Sequence, residues 1–342
     1  MVDVTVRGAG AFGLAVAYAC ARKGAKVRVV DPHGPGAGSS GGLVGALAPH
    51  VPENWNDKKA FQFASLAMAQ AFWAEVAAAG GQDPGYLRSG RLQPIADAAA
   101  LDLALARAQT AAELWQGRFA WEIARADPAW GPLSPTGQVI RDTLTARMHP
   151  RMAIRALTAA LTAQGGEIVT QASDEGQVVW ATGWKGLADL SGFFGKPVGA
   201  AIKGQSATLA YDARTLPQIF AGGVHIVPHA DGTVAIGSTT ERDFDAGNTC
   251  DAQLDAVIAR ARAAVPALAN APVVERWAGL RPRAKTRSPM LGAWPGRAGH
   301  FIANGGFKIG FGMAPMVGKA IAALVLDGED MIPEGFRVDA NL

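Results

Sequence analysis

The sequence predicts an α/β protein in which a discontinuous Rossmann-like domain carries an inserted, mostly antiparallel β-sheet domain. Three observations support this. The N-terminus reads strand, tight turn, helix, strand, in "VRGAGAFGLAVAYACARKGAKVRVVD", Val6 to Asp31. Similar strand–helix units recur in the middle and at the C-terminal end, and strand-rich segments lie between them. A chain of 342 residues also exceeds one ordinary core. The pattern assigns residues 1–80, 146–198 and 276–342 to the first domain, and residues 81–145 and 199–275 to the second.

The elements follow in order. Val4 to Val6 is a short strand, Phe12 to Lys23 a helix, and Lys26 to Val30 a buried strand. Lys58 to Ala79 carries apolar residues at helical spacing. A strand is expected around Leu92, then a helix from Ala98 to Gln116 and a loop marked by Pro128, Pro132 and Pro135. Pro150 suits the first turn of the helix that follows. "QVVWATGW" reads as a buried strand ending at Gly183. "GVHIVPHADGTVAIGST" reads as a hairpin turning at Asp231-Gly232. Asp251 to Ala264 is a helix stopped by Pro266, and a Gly-rich loop feeds a long final helix.

Composition narrows the function. Basic residues number 32 and acidic ones 29, a net charge of +3, which gives no electrostatic footprint for nucleic acid. No charged and apolar leader opens the chain, and no long apolar run suggests a membrane span, so a cytoplasmic protein is expected. Cys20 and Cys250 form neither a disulfide framework nor a metal set. His33, His50, His149, His229 and His300 show no metal-ligand spacing and read as structural. Glycine reaches 42 of 342 residues, above the usual ~7%, as expected where backbone must approach a ligand closely.

Gly8, Gly10 and Gly13 form G-x-G-x-x-G between a strand and a helix, the context a dinucleotide site requires. Gly8 permits the tight turn, Gly10 lets backbone approach a pyrophosphate, and Gly13 lets helix and strand pack closely. Ala11 and Phe12 open the helix whose N–H groups and dipole face the phosphates. Asp31 ends the second strand, where a carboxylate accepts ribose hydroxyls. The motif serves NAD and FAD alike, and an Asp at this position favours NAD. Arg7 is unusual at a strand end that is normally apolar.

Two further stretches bear on the choice: "GAGSSGGLVGALAPH", Gly36 to His50, and "WAGLRPRAKTRSPMLG" with "ANGGFKIGFGMAPMVGKAIAAL", Trp277 to Leu324. With the N-terminal unit, in this order, they resemble the D-amino acid oxidase superfamily, and within it the glycine oxidase and sarcosine oxidase branch. The resemblance implies FAD, bound non-covalently because neither cysteine nor any histidine stands in Gly36 to Leu47. It places Ser39 and Ser40 at the pyrophosphate and ribityl chain, and Gly45 and Ala46 along the flavin ring. Gly183 joins the cofactor set, and the loop Gly306, Phe307, Lys308, Ile309 and Gly310 covers the pyrimidine edge. It implies that Arg281, in "GLRP", grips the substrate carboxylate, which matches the guanidinium fork. Lys308 stands where relatives carry a second arginine, as a carboxylate or flavin contact or as a surface lysine. His225 stands where relatives often carry a tyrosine, and either donates a hydrogen bond to the carboxylate or packs between domains.

The reaction so implied oxidises the C–N bond of a small amino or N-alkylamino acid to an imine, by hydride transfer to flavin N5. Oxygen or another acceptor then reoxidises the cofactor. The alternatives are an NAD-dependent dehydrogenase, an oxidoreductase of a tRNA aminomethyl group, and a non-catalytic flavoprotein or complex subunit.

Overall fold

The computed structural model describes residues 1–342. The chain runs β1 (Val4–Arg7), α1 (Ala11–Arg22), β2 (Val27–Val30), β3 (Ala46–Leu47), α2 (Asp57–Gly80), β4 (Arg91–Pro94), α3 (Ala98–Leu114), β5 (Trp121–Arg125), β6 (Gln138–Asp142), β7 (Ala146–Arg147), α4 (Pro150–Ala163) and β8 (Glu167–Val169). It continues β9 (Gln177–Trp180), α5 (Gly183–Phe193), β10 (Gly199–Ala210), β11 (Gln218–Ala221), β12 (Val224–Pro228), β13 (Thr233–Gly237), α6 (Ala252–Ala264), β14 (Val273–Ala284), β15 (Met290–Ala293), β16 (His300–Asn304) and α7 (Gly310–Asp327). Local chemistry sets several of the ends. The side chains of Asn56, Asp97 and Asp251 cap α2, α3 and α6 by accepting backbone N–H bonds, and Gly81 closes α2 in the left-handed region.

Six strands form one sheet in the order β15-β16-β9-β1-β2-β8. All its pairings are parallel except β15 with β16 at one edge. The chain moves outward from β1 to β2 on one side and later returns to β9 on the other. Strand order therefore reverses at β1, and the crevice beyond the carboxyl ends of β1 and β9 is where an open α/β sheet takes its ligand. Eight strands form the second sheet, in the order β14-β10-β13-β12-β11-β4-β6-β5, with only β4 and β11 parallel. Each sheet has its own large apolar cluster, one around α1, α2, α4 and α7, the other around β11–β13 and α6.

Most expected elements are present within a residue or two. Three findings differ. β9 ends at Trp180, so Gly183 opens α5 rather than closing the strand. The long antiparallel pair β10–β14 was not expected, because Lys203, Gln205, Ser206 and Thr208 of β10 are all buried polar residues and mask the strand's apolar signal. This pairing also places β14 in the eight-stranded sheet, so a boundary at residue 276 cuts through a strand. Helix α7 is long and apolar enough, by length and composition, to cross a membrane, yet it packs between α1 and α2 with 61% of its length buried. Its apolarity serves the core.

Candidate functional site

Every residue the sequence assigns to the cofactor or substrate, except Gly13, lines one cavity of about 800 Å3. It opens at the carboxyl ends of β1 and β9 and extends to the face of the eight-stranded sheet. Gly13 stands behind the lining. A Cβ there would lie 1.9 Å from the Gly8 carbonyl oxygen, so its role is the close helix–strand contact. Gly8 adopts φ +104°, and a Cβ would also strike the Ala181 carbonyl at 2.4 Å, so the turn tolerates no side chain.

At this end the first residues of α1, α5 and α7 all border the cavity, and none of these helices carries an acidic residue in its first turn. Three positive dipole ends therefore converge with no carboxylate in their own first turns. Ser40 Oγ accepts the Ala11 N–H at 3.0 Å, which fastens the Ser39–Gly41 turn onto α1. Asp31 accepts from Ala9 N at 2.8 Å and from His33 N at 2.9 Å. Gly45 faces the Met148 carbonyl so closely that a Cβ would overlap it, at 1.9 Å. Gly306 meets the ring of Phe12, which joins the last loop to the start of α1. Phe307 holds φ +44°, a strained position for a side-chain-bearing residue, and it is tolerated in the loop that roofs the cavity.

At the opposite end stands Arg281, on β14. Its Nη2 donates to Ser238 Oγ at 2.8 Å and its Nη1 to the Thr239 carbonyl at 3.2 Å. Burial draws the guanidinium pKa down to about 10, which still leaves it charged at neutral pH. Lys308 Nζ donates to Thr240 Oγ1 at 2.7 Å and has no acidic partner. Burial, then the nearby Arg281, lowers its pKa. His225 packs against Phe220 with ring centroids 4.7 Å apart, and its Nδ1 has no hydrogen-bond partner. Burial first, then Arg91 and Lys308, push its pKa to about 3, so the imidazole is neutral. Ser238, Phe220 and Leu280 complete this end. Sequence reading missed them because no motif marks them.

The decisive comparison is with the family described as DAO, FAD dependent oxidoreductase, which this chain matches over residues 3–324. The chain belongs to this FAD-dependent oxidoreductase family. Members with curated descriptions include a glycine oxidase of Pseudomonas aeruginosa, 31% identical over 175 residues, 49% of this chain and 48% of that one. The matched stretch thus spans about half of that relative. A putative thiamine biosynthesis oxidoreductase, ThiO, of Rhizobium etli is 28% identical and covers 94% of this chain and 96% of its own. Among solved structures, glycine oxidase from Geobacillus kaustophilus superposes with TM-score 0.83 at 21% identity, covering 98% of both chains. Iminodiacetate oxidase from Chelativorans sp. BNC1 superposes with the same score, identity and coverage. At that identity the likeness establishes the fold.

The cavity fits the family's cofactor. It has the volume of a small-molecule site, glycine backbone at the phosphate end, and three helix N-termini where anionic phosphates are favoured. Asp31 therefore does not select NAD in this chain. Cys20 is buried in α1 and Cys250 is exposed, and neither lines the cavity. Acid precipitation of the yellow holoprotein is expected to release all the colour into the supernatant, and colour retained in the pellet would show a covalent link.

Two arrangements arise only in three dimensions. Arg7 donates to Asp174 Oδ1 and to the Ala172 carbonyl, at 2.7 and 2.8 Å, so the odd arginine ties the β8–β9 loop to β1. His149, His229 and Asp231 also meet, with ligand-type atoms within 4.8 Å of one another. His149 Nδ1 accepts the Met152 N–H that caps α4, so its Nε2 carries the proton and faces Asp231 Oδ2 at 3.3 Å. That tautomer leaves an N–H beside the Asp231 carboxylate, a polar contact between α4 and the β12–β13 turn. His229 is fully buried and its Nε2 has no partner. Burial first, then His149, push its pKa to about 3.

Because unfolded histidine titrates near ~6.5, the unfolded chain binds the proton that folded His229 refuses. The contribution of His229 to folding stability is thus complete above about pH 6.5 and is lost as pH drops towards 3, by an amount on the order of 3 kcal/mol near pH 4. His225 adds in the same direction. Urea midpoints of wild type should fall over this window, and His229→Gln should flatten the slope. An unchanged slope in that variant would remove His229 from the account.

Proposed function

We propose that this protein oxidises the C–N bond of a small amino or N-alkylamino acid. The observation that carries the reading is a charged, partly buried Arg281 at the far end of the cavity that also presents the cofactor cradle. The relatives named glycine oxidase and the structural neighbour named iminodiacetate oxidase support this substrate class. FAD, when bound, supplies the hydride acceptor for the α-hydrogen.

The chain's own residues do the rest. Ser238 Oγ and the Thr239 carbonyl occupy one side of the Arg281 guanidinium and leave its remaining donors for a substrate carboxylate. No carboxylate of the protein lines this end, where Arg281 and Lys308 stand together. Two cations disfavour an ammonium, so the substrate amine is held in the neutral form that can release a hydride from its neighbouring carbon. Neutral His225 lines the same end of the cavity beside Phe220 and adds no charge there. Positioning and electrostatics then account for the rate, with no protein base required at the α-carbon.

The two sheets suggest a division of labour. Residues 1–80 and 146–198 with the chain after β14 hold the cofactor, while residues 81–145 and the segment from β10 through β14 shape the substrate end. Anaerobic titration with glycine, sarcosine and D-amino acids tests the whole reading. At least one should bleach the flavin, and admitted air should yield peroxide if oxygen is the acceptor. A panel in which no amino acid or amine reduces the flavin would overturn it.

Lys308 takes part at the substrate carboxylate in this reading. Lys308→Met should raise the substrate dissociation constant roughly tenfold, the effect of losing one charge-assisted hydrogen bond, while the limiting rate of flavin reduction is largely kept. Slower limiting reduction with unchanged binding would assign Lys308 to the flavin instead. If both stay within twofold of wild type, Lys308 is a solvated lysine.

A further inference from the structure

Behind Arg281 lies a chain of buried polar groups that no motif announces. Lys203, Gln205, Thr239 and Glu241 are exposed by 3%, 0%, 8% and 7%. Glu241 Oε1 accepts hydrogen bonds from Thr239 Oγ1 and, at 3.0 Å, from Gln205 Nε2. Gln205 and Thr239 are further tied by Gln205 N to Thr239 Oγ1 at 2.8 Å and Thr239 N to the Gln205 carbonyl at 3.2 Å. Glu241 Oε2 lies 3.4 Å from Lys203 Nζ, which also reaches Asp251 Oδ2 at 3.1 Å. Lys203 and Glu241 exchange both backbone hydrogen bonds at 3.0 Å, so the segment is fixed in register against β10. The space for the guanidinium is made on the same strand. A Cβ on Gly204 would lie 1.9 Å from Arg281 Nη1.

We propose that Glu241 is a positioning residue for substrate binding: through Thr239 it fixes the Ser238–Thr239 segment that aims Arg281, and it supplies the guanidinium's counter-charge without touching it. The proposal rests on reading Arg281 as the carboxylate anchor. The separation matters physically. A glutamate in direct contact would occupy the fork and compete with the substrate carboxylate. Held one residue away, its charge offsets the desolvation of Arg281 while the outward donors stay free. The attraction is registered at Arg281, whose pKa Glu241 raises against the effect of burial. Lys203 and Asp251 continue the alternation of sign outward, so Glu241 is not itself left as an isolated buried charge.

The test uses the FAD-loaded protein and acetate as the carboxylate probe, read by the perturbation of the flavin spectrum. Glu241→Gln removes the charge at nearly constant volume, and Thr239→Val removes the linking hydroxyl. Each should weaken acetate binding roughly tenfold, the loss expected when a charge-assisted hydrogen bond is broken. With substrate, KM should rise while the limiting rate of flavin reduction is largely kept. Arg281→Met should weaken acetate binding more, and adding Glu241→Gln to it should produce no further loss, because the two act through one group. That coupling distinguishes positioning from general damage to the fold. If Arg281→Met weakens binding but Glu241→Gln and Thr239→Val, both retaining FAD, bind acetate within twofold of wild type, the role of Glu241 is overturned and the anchor stands. If Arg281→Met itself binds acetate normally, the anchor fails and the role of Glu241 falls with it.

Discussion

Arg281→Ala is expected to weaken substrate binding by about two orders of magnitude or more. Truncating one partner of a desolvated charge pair typically costs roughly 2–5 kcal/mol, and each ~1.4 kcal/mol is tenfold. The variant leaves a substrate carboxylate facing Lys308 as the remaining cation at that end, with Ser238 Oγ and the Thr239 carbonyl deprived of their donors. Lysine should rescue poorly. An ammonium cannot present two parallel donors outward while satisfying both Ser238 and Thr239 behind it. The check is anaerobic flavin reduction across substrate concentrations in wild type, Arg281→Ala and Arg281→Lys. Near-normal saturation in Arg281→Ala would sink the carboxylate-anchor assignment.

Gly10→Val should yield a folded but largely FAD-free protein. Gly10 caps α1 with φ −85° and ψ −174°, a conformation any residue can adopt, so the backbone itself does not forbid valine. The space does. A Cβ would sit 3.1 Å from Ser40 Oγ, the atom that accepts the Ala11 N–H, and the two γ-methyls would project around the phosphate end of the cavity. Overpacking of this kind costs typically ~1–3 kcal/mol. Taken from cofactor binding, that is roughly ten- to hundredfold in affinity. Visible absorbance per protein after purification should drop accordingly, with the far-ultraviolet circular dichroism unchanged. Full flavin content would show that the backbone does not approach the pyrophosphate at Gly10. Gly13→Val should behave differently, losing the fold, because its Cβ meets backbone rather than cavity.

Much of the cofactor end was legible because its requirements are local. A strand, a turn that needs glycine at Gly8, an extended cap at Gly10 and a helix occupy one continuous stretch, and the carboxylate at Asp31 follows directly after the next strand. The β12–β13 hairpin was equally readable, since Asp231-Gly232 is a turn by its own chemistry, with Gly232 at φ +86°. The substrate end was legible only in part. Arg281 was recognisable within "GLRP", but its partners Ser238 and Thr239 carry no pattern.

The sequence by itself determined the α/β class, the mononucleotide-type start and the residues that carry charge into the site. It did so because backbone conformational limits and apolar periodicity act over a few residues. Tertiary structure alone decided what those residues meet. Pairing of β10 with β14 sets Ile202 opposite Arg281 and brings Gly204 beneath the guanidinium. The same pairing buries Lys203, Gln205 and Thr208, polar side chains that carry no apolar strand signal and must find partners. Packing between α1 and α2 makes α7 a core helix although its composition would suit a bilayer. In each case the deciding quantity is desolvation, which depends on what covers a residue from elsewhere in the chain and not on its neighbours in sequence.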